Sequence, residues 1–369
     1  MDVKQLEQKL ATIQEDQDKI KVLDEVAARY YEEGHYRKAV SYYQQAEQLS
    51  LDSNLRASYQ GLKGICYFLM NQDSEAHQAL IGAKEMLHPN EKSFDEEIFG
   101  LVHYFLGSLY EYEGKHEASL ESRLVAFEYI DHLHSEAQWM LLAGIGRNYE
   151  FQNDFRKAVE FNSEAISKIN QNDPEIGYIL ANLGYNHYEL GEYNKAREHF
   201  ARILATDHDF ERQEEVYSML GLCNRRLLDF DIALDSYLKL LELKQPKSTQ
   251  ESSAWLYIEI AHCYYSLKEY QKSIEFVEKG LKGPIEDNTE KAEIHSYLVN
   301  NYHGMSRFEE AVEAGERTLK IADEFHGMEI MLSNLALSYH QLGDTEKFAY
   351  YRDWCNRDFP DQDWPKQLN

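Results

Sequence analysis

Apolar and small residues recur at helical spacing along the stretch ILANLGYNHYEL, which begins at Ile179. Ile179, Leu183 and His187 are each four residues apart, a spacing that places them on one face of a helix. Gly191 follows, and glycine tolerates the left-handed backbone conformation that commonly ends a helix. The next stretch, YNKAREHFARIL, again has helical spacing around Ala196. The pattern predicts two helices joined by a tight turn.

The same pattern recurs along the chain at intervals of 37 to 43 residues. Its first small position is occupied by Ala27, Gly64, Gly107, Gly146, Gly184, Gly221, Ala261, Val299 and Ala336. Its second small position, twelve residues later, is occupied by Ala39, Ala76, Ser119, Ala158, Ala196, Ala233, Ser273, Ala311 and Phe348. A catalytic loop occurs once in a chain, whereas a packing pattern recurs, so these positions indicate a repeat protein.

The turns and helix starts of the repeats can also be predicted from the sequence. Small residues let two helices cross closely, and the turn between them is predicted at Gly34, Asn71, Gly114, Asn153, Gly191 and Gly343. Helix starts are predicted from capping boxes at Ser93–Glu96, Ser135–Gln138 and Ser248–Glu251, and from the Asp173-Pro174 dipeptide.

The order of small residue, tyrosine, glycine turn and alanine in NLGYNHYELGEYNKAREHF resembles the tetratricopeptide repeat. The resemblance covers roughly residues 20–362 and implies an all-α fold, a right-handed α-solenoid of about nine helix pairs. Repeats would start near residues 20, 57, 100, 139, 177, 214, 254, 292 and 329, after a capping helix at 1–19 and before a tail at 363–369. The repeats are longer than is usual for the family. In this they resemble, more weakly, bacterial peptide-sensing regulators of the Rap and PlcR type.

The charge of the chain narrows the choice of partners. Sixty-five acidic residues against 38 Lys and Arg give a net charge of -27. Because phosphate binding needs a cationic face, nucleic acid and anionic membrane surfaces are disfavoured. The sequence has neither an apolar signal core at its N-terminus nor a stretch long enough to span a bilayer. We therefore expect a soluble cytoplasmic protein.

The sequence has no recognisable catalytic or metal-binding pattern. Cys66, Cys223 and Cys263 occupy one slot, two residues after the first small position, and Cys355 stands elsewhere. A repeated slot is typical of a buried filler residue. The sequence has no Cys-x-x-Cys pair, His-Glu-x-x-His motif, Gly-rich phosphate loop or nucleophile elbow. His187 replaces the usual tyrosine of the repeat and is interpreted as a packed side chain. We predict no metal, no cofactor and no enzymatic activity.

One short motif supports an alternative. The sequence EDQD at Glu15–Asp18 resembles the acidic-glutamine motif that Rap-type response-regulator phosphatases carry ahead of their repeats. In that group the motif reaches the phosphorylated aspartate of a partner and positions a water molecule. Here it lies directly before the first repeat, where the three-helix bundle of that group would need a longer segment. The alternative function is a peptide-regulated phosphatase or sensor, and the competing interpretation of the motif is a solvated helix end.

The resemblance also implies where a ligand binds. In tetratricopeptide proteins the first helix of each repeat lines a concave groove, at the second, fifth, sixth, ninth, twelfth and thirteenth positions. The candidate groove residues here are Arg147, Tyr178, Asn182, Tyr185, Tyr188, Arg225, Arg226, Trp255, Glu259, His262, Tyr297, Asn300 and Asn334. Asn182 and Asn334 stand where related proteins hold a peptide backbone, and an amide both donates and accepts hydrogen bonds.

These features favour a non-enzymatic protein- or peptide-binding scaffold. Arg147, Arg225 and Arg226 are clustered cations in an acidic chain, and the guanidinium fork suits a carboxylate. They suggest a peptide ligand with an acidic side chain or a free C-terminus. The arginines could instead pair with local acids such as Glu150 and Glu189. A third hypothesis is a structural assembly factor that uses an acidic convex surface.

Overall fold

The computed structural model describes residues 2–89, 91, 93–205, 212–244, 254–283 and 285–360. Within these ranges every regular element is helical, with nineteen α-helices and one short 3-10 turn. The all-α expectation is therefore confirmed. The chain divides into two compact units, Met1–Gly191 and Glu192–Asn369. The tail expected at 363–369 lies outside the described residues.

The first unit is a series of helix pairs preceded by a lead helix. Its helices are α1 (Val3–Leu10), α2 (Asp16–Glu32), α3 (Tyr36–Leu49), α4 (Ser53–Leu69), α5 (Asp73–Met86), α6 (Glu96–Tyr112), α7 (His116–Phe127), α8 (Ser135–Phe151), α9 (Phe155–Lys168) and α10 (Ile176–Glu189). The 3-10 turn, Ile130–His132, lies between α7 and α8. Helices pack in consecutive pairs from α2/α3 to α8/α9, and each second helix also packs on the first helix of the next pair.

The second unit follows the same arrangement. Its helices are α11 (Tyr193–Leu204), α12 (Gln213–Arg226), α13 (Phe230–Lys244), α14 (Ala254–Ser266), α15 (Tyr270–Leu281), α16 (Asn288–Gly304), α17 (Phe308–Thr318), α18 (Met328–Gln341) and α19 (Thr345–Asp358). The pairs are α12/α13, α14/α15, α16/α17 and α18/α19, and the first helices α14, α16 and α18 also pack on one another in order. The pair predicted around Gly191 has its first helix in one unit and its second in the other.

Both small positions of the repeat lie at buried helix contacts. All nine residues at the first position and all nine at the second are buried. A β-carbon added at Gly64 would lie 2.7 Å from Leu80 Cγ, on the second helix of the same pair. At Gly107 it would lie 2.6 Å from Arg123 Cγ. These helices therefore approach so closely that only hydrogen fits at the crossing.

The turn of every repeat contains one residue in the left-handed conformation, seven positions after the first small residue. The glycines Gly34, Gly114, Gly191 and Gly343 have φ between +73° and +81°, as the sequence predicts. Asparagine takes the position at Asn71 and Asn153, also as predicted. The remaining three turns use Leu228, Lys268 and Ser306, with φ of 64°, 61° and 59°. The turn is thus imposed by packing even where the sequence supplies no residue that favours it.

The predicted helix starts are displaced. Helix α6 is capped by Asp95, which accepts a hydrogen bond from Ile98 N at 3.0 Å. Ser93 instead donates to Asp52 at 2.7 Å. His134, not Ser135, caps α8. At both helices a side chain other than the predicted serine accepts the hydrogen bond from the free backbone amide. The capping-box prediction was therefore wrong at both.

Two further helix starts were also predicted from the sequence. Asp173 accepts from Glu175 N, but the helix begins only at Ile176. The Asp173-Pro174 dipeptide therefore lies before the helix and does not open it. The box at 248–251 lies outside the described residues.

The lead helix closes the apolar end of the first unit. Leu6 is fully buried in the cluster formed with α2 and α3, whose members include Leu23 and Tyr43. Glu7 accepts hydrogen bonds from the hydroxyls of Tyr30 and Tyr42, each at 2.8 Å. Within the expected capping segment, 1–19, α1 occupies only Val3–Leu10, and α2 already begins at Asp16.

Polar side chains also pair between successive repeats, at sequence separations of 34 to 36 residues. The pairs are Arg147 with Glu111, Asn186 with Glu150, Arg225 with Glu259, His262 with Tyr297, and Asn334 with Asn300. Each pair joins one first helix to the next, since the separation is close to one repeat.

Candidate functional site

A cavity of about 360 Å³ lies within the second unit. Its wall is built by the ends and faces of four first helices, α12, α14, α16 and α18. The lining residues are Arg225, Arg226, Ile258, Glu259, His262, Tyr265, Glu293, Ser296, Tyr297, Asn300, His326, Gly327, Glu329 and Ile330. A cavity of this size can hold a small ligand or a side chain, and most of the residues that line it are polar or charged.

An ion pair spans the cavity wall between α12 and α14. Arg225 Nε lies 2.9 Å from Glu259 Oε2, and the Tyr237 hydroxyl donates to the same oxygen at 3.2 Å. Burial raises the pKa of Glu259, and the nearby Arg225 guanidinium partly offsets that rise. The carboxylate is therefore held in its charged form chiefly by the arginine.

A second polar contact joins α14 to α16. His262 Nδ1 lies 2.9 Å from the Tyr297 hydroxyl. Burial, helped by the charge of Arg225, lowers the pKa of His262 to about 4. The imidazole is consequently neutral at physiological pH and contributes a hydrogen bond, not a charge.

The opposite wall carries an acidic side chain beside a histidine. Glu293 Oε1 lies 3.4 Å from Nδ1 of His326, a side chain that is 87% exposed. Burial raises the pKa of Glu293. Gly327, in the left-handed conformation, directly precedes α18 and brings this connection against the cavity.

Two of the candidate amides are bonded to each other. Asn334 Nδ2 donates to Asn300 Oδ1 at 2.8 Å. Asn300 lines the cavity and is buried. Asn334 is not among the lining residues. In this arrangement Asn300, not Asn334, is the amide that borders the cavity.

The arginine of the first unit is paired internally. Arg147 Nε lies 3.2 Å from Glu111 Oε1, and the buried Arg123 contacts the other oxygen of the same carboxylate at 2.6 Å. Glu150 accepts instead from Asn186 at 2.7 Å. Local pairing therefore does occur at Arg147 and Arg225, but its acids are Glu111 and Glu259. Glu150, one of the two acids suggested by the sequence, is bonded to an amide.

The remaining candidates do not line the cavity. Tyr178, Asn182, Tyr185 and Tyr188 belong to α10 in the first unit, where Tyr185 is 42% exposed. Trp255, at the start of α14, has Lys244 Nζ 5.9 Å from its ring centroid. Neither Trp255 nor the α10 residues line the cavity of the second unit.

Six of the thirteen candidates thus meet in one place: Arg225, Arg226, Glu259, His262, Tyr297 and Asn300. Sequence reasoning missed Glu293, although it holds the second position of its repeat, a position assigned to the groove. It also missed His326 and Gly327, which lie in a connection between helices that repeat positions do not describe.

The motif Glu15–Asp18 stands at the start of α2. Glu15 is the residue before the helix, and Asp18 lies 3.6 Å from Lys21 in an exposed ion pair. The four cysteines are free and buried. Burial raises the pKa of Cys66, Cys223 and Cys263 to about 12 in each case. Buried thiols of this kind are unreactive filler groups.

Residues 256–282, within α14 and α15, match the family model of the tetratricopeptide repeat. The matched segment is one helix pair of the described fold, and it is similar to a tetratricopeptide repeat. No curated protein matches it. Among the described helices, none combines the length and apolarity needed to cross a membrane.

Several solved structures are similar to this chain at low sequence identity. The apo form of RapI is 13% identical, covering 93% of this chain and 98% of its own, with a TM-score of 0.51. A tetratricopeptide repeat protein from Parabacteroides merdae is 15% identical, with coverages of 77% and 99% and a TM-score of 0.44. YrrB, described as a TPR protein with an unusual peptide-binding site, is 17% identical, with coverages of 50% and 85% and a TM-score of 0.42.

Proposed function

We propose that this chain is a non-enzymatic scaffold that binds a protein or peptide segment in the cavity of its second unit. The observation that supports this most directly is the convergence of Arg225, Arg226, Glu259, His262, Tyr297 and Asn300 on one cavity. These residues come from successive first helices, which supply the ligand-facing positions in tetratricopeptide proteins.

The chemistry of the wall suits an extended peptide. Asn300 can pair with a peptide group, because an amide both donates and accepts. The Tyr297 ring offers an apolar face with a polar tip. Arg226 is an exposed residue of the cavity lining, and the geometry of a guanidinium group matches that of a carboxylate. The ligand class that fits is a peptide with an acidic side chain or a free C-terminus.

The proposal is tested by selecting peptides that bind the protein and then measuring the affinity of one selected peptide. Random heptapeptides displayed with free C-termini are selected on the protein, and the most enriched peptide is synthesised with a fluorescein label. Arg226→Glu is expected to weaken its binding by at least about tenfold, as loss of a charge-assisted contact does. Circular dichroism should show unchanged helicity, because Arg226 is exposed.

Arg317→Glu is the matched control. Arg317 is an exposed arginine on α17, a second helix, where it pairs with Glu313. This variant should bind the peptide as the wild type does. If no peptide is enriched, or if both variants bind equally well, the proposal is wrong. Salt-sensitive enrichment of basic peptides by both variants would favour an acidic outer surface as the binding face.

A different measurement distinguishes the phosphatase alternative from the binding scaffold. Dephosphorylation of a phosphorylated response regulator is followed with the wild type and with Gln17→Ala. A scaffold gives no acceleration in either case. Acceleration that Gln17→Ala abolishes would establish a role for Glu15–Asp18.

A further inference from the structure

The second arginine of the cavity wall, Arg225, already has a carboxylate partner. Arg225 Nε lies 2.9 Å from Glu259 Oε2, but the N–H is not aligned with that oxygen and donates to no acceptor among the described residues. The pair is thus held by charge, without the directional hydrogen bond that makes arginine–carboxylate pairs strong. The unpaired Nε is itself buried, and the Arg225 side chain lines the cavity.

We propose that Glu259 is an internal counter-ion, which occupies Arg225 until a carboxylate of the bound peptide displaces it with uptake of one proton. The inference rests on the proposed function, since it concerns the same cavity. It adds a regulatory property: affinity for acidic peptides is coupled to pH through one named residue.

Burial explains why displacement brings a proton. The Glu259 side chain is only 18% exposed, and its charged form depends on Arg225. Once the arginine turns to the ligand, an isolated carboxylate would remain in a poorly solvated place, which is costly. Protonation removes that cost. The Tyr237 hydroxyl, at 3.2 Å, can serve the neutral acid as well as the anion.

Two basic groups besides Arg225 face Glu259. Arg226, from α12, and His326, from the connection before α18, both favour its charged form. A guanidinium group in a protein does not lose its charge near neutral pH. His326 is a highly exposed histidine that contacts Glu293, so it must be controlled for.

Four further titratable groups lie near the pair on α14 and α16. His262 has a pKa near 4 and Cys263 one near 12, so neither changes charge between pH 5.5 and pH 8. Tyr297 has its pKa raised by burial and stays neutral as well. Glu293 also has a raised pKa and contacts His326, so it is the second group to control for.

The sign of the pH dependence follows from this arrangement. Falling pH protonates Glu259 and frees Arg225, while an exposed peptide carboxylate stays ionised above about pH 5. Affinity for the acidic peptide should therefore rise as the pH falls from 8 to 5.5. One linked proton limits the change to about tenfold per pH unit.

The experiment uses the most enriched heptapeptide of the selection and its counterpart with each carboxylate replaced by an amide. Calorimetric titration of the wild-type protein in two buffers of different ionisation enthalpy gives the number of protons taken up. We expect net uptake, approaching one, with the acidic peptide. We expect none with the amide peptide. Release of protons, or no proton exchange, on binding of the acidic peptide would overturn the inference. The proposed peptide binding would still stand.

Variants assign the proton to one residue. Glu259→Gln should bind the acidic peptide about tenfold more tightly at pH 8 and remove the pH slope. His326→Gln and Glu293→Gln should each keep the slope, whatever their effect on affinity. A slope that persists in Glu259→Gln, or disappears in either other variant, assigns the proton elsewhere and refutes the role of Glu259. Failure to enrich any peptide refutes both this inference and the proposed function.

Discussion

Leu228, Lys268 and Ser306 hold a backbone conformation that their side chains disfavour. In an L-residue the left-handed region brings the β-carbon close to the following carbonyl, at a cost of about 1–2 kcal/mol. Six other repeats place glycine or asparagine at this position. The fold tolerates the strain because the two helices of each pair fix the turn from both sides.

Leu228→Gly should therefore stabilise the protein. Relief of strain should exceed the extra entropy that glycine has in the unfolded chain, leaving a net gain of about 0.5–1 kcal/mol. Leu228 is 72% exposed, so little packing is lost. The measurement is the free energy of unfolding in urea.

The opposite change is the control. Gly34→Ala introduces a side chain at φ +73°, where no atom lies within 4 Å of the new β-carbon. It should destabilise the protein by about 1 kcal/mol through strain alone. Equal stabilities for Leu228→Gly and the wild type would show that the turn relaxes freely.

A Gly64→Ala change tests the close crossing of α4 and α5. In an exposed helix Gly→Ala stabilises by about 1 kcal/mol. At Gly64 the new methyl would meet Leu80 Cγ at 2.7 Å and its backbone nitrogen at 3.1 Å. We expect a net loss of about 1–3 kcal/mol from overpacking, measured by urea unfolding. Gln78→Ala, at an exposed position of α5, should be close to neutral, and a stabilising Gly64→Ala would contradict the crossing.

At the scale of elements, the sequence predicted helices and turns better than it predicted their ends. The close approach of the helices requires small residues at two positions, and these residues recur at fixed spacing in the sequence. A helix start is instead decided by competition among nearby acceptors. Asp95 and His134 therefore replaced the predicted Ser93 and Ser135 as caps.

The arginine partners were missed for a related reason. The sequence suggests Glu150 and Glu189 as partners, whereas Arg147 pairs with Glu111 and Arg225 with Glu259, each on the adjacent first helix. Such partners depend on how one first helix stacks on the next. The repeat spacing identifies the facing positions, and six candidates do share one cavity. It does not reveal which facing residues have charges that meet.

The lead helix offers a test at this scale. Leu6→Ala removes a fully buried side chain from the cluster that α1 forms with α2 and α3. The lost burial and the cavity left behind should cost about 2–4 kcal/mol locally. Hydrogen exchange should accelerate in α2 and α3 first, since repeat arrays couple chiefly to their neighbours. Lys9→Ala, on the exposed face of α1, should leave exchange unchanged, and uniform acceleration across the chain would contradict neighbour-limited coupling.

For the whole molecule, the net charge of -27 governs how stability responds to salt. Like charges repel in the folded state, and most ion pairs are exposed and contribute little. Sodium chloride at 0.5 M, which shortens the screening length to a few ångströms, should raise the melting temperature. Potassium chloride at the same strength should act equally, since screening does not depend on the cation. A lowered melting temperature would mean that ion pairs outweigh repulsion.

The polar pairs that join successive repeats have a consequence for the order of the repeats. Each junction uses a different pair: Arg225 meets Glu259, His262 meets Tyr297, and Asn334 meets Asn300. An exchanged repeat would leave an arginine facing an amide or a carboxylate facing a phenol. The polar pair at each junction therefore matches only one following repeat, so repeats of similar shape are not interchangeable along the chain.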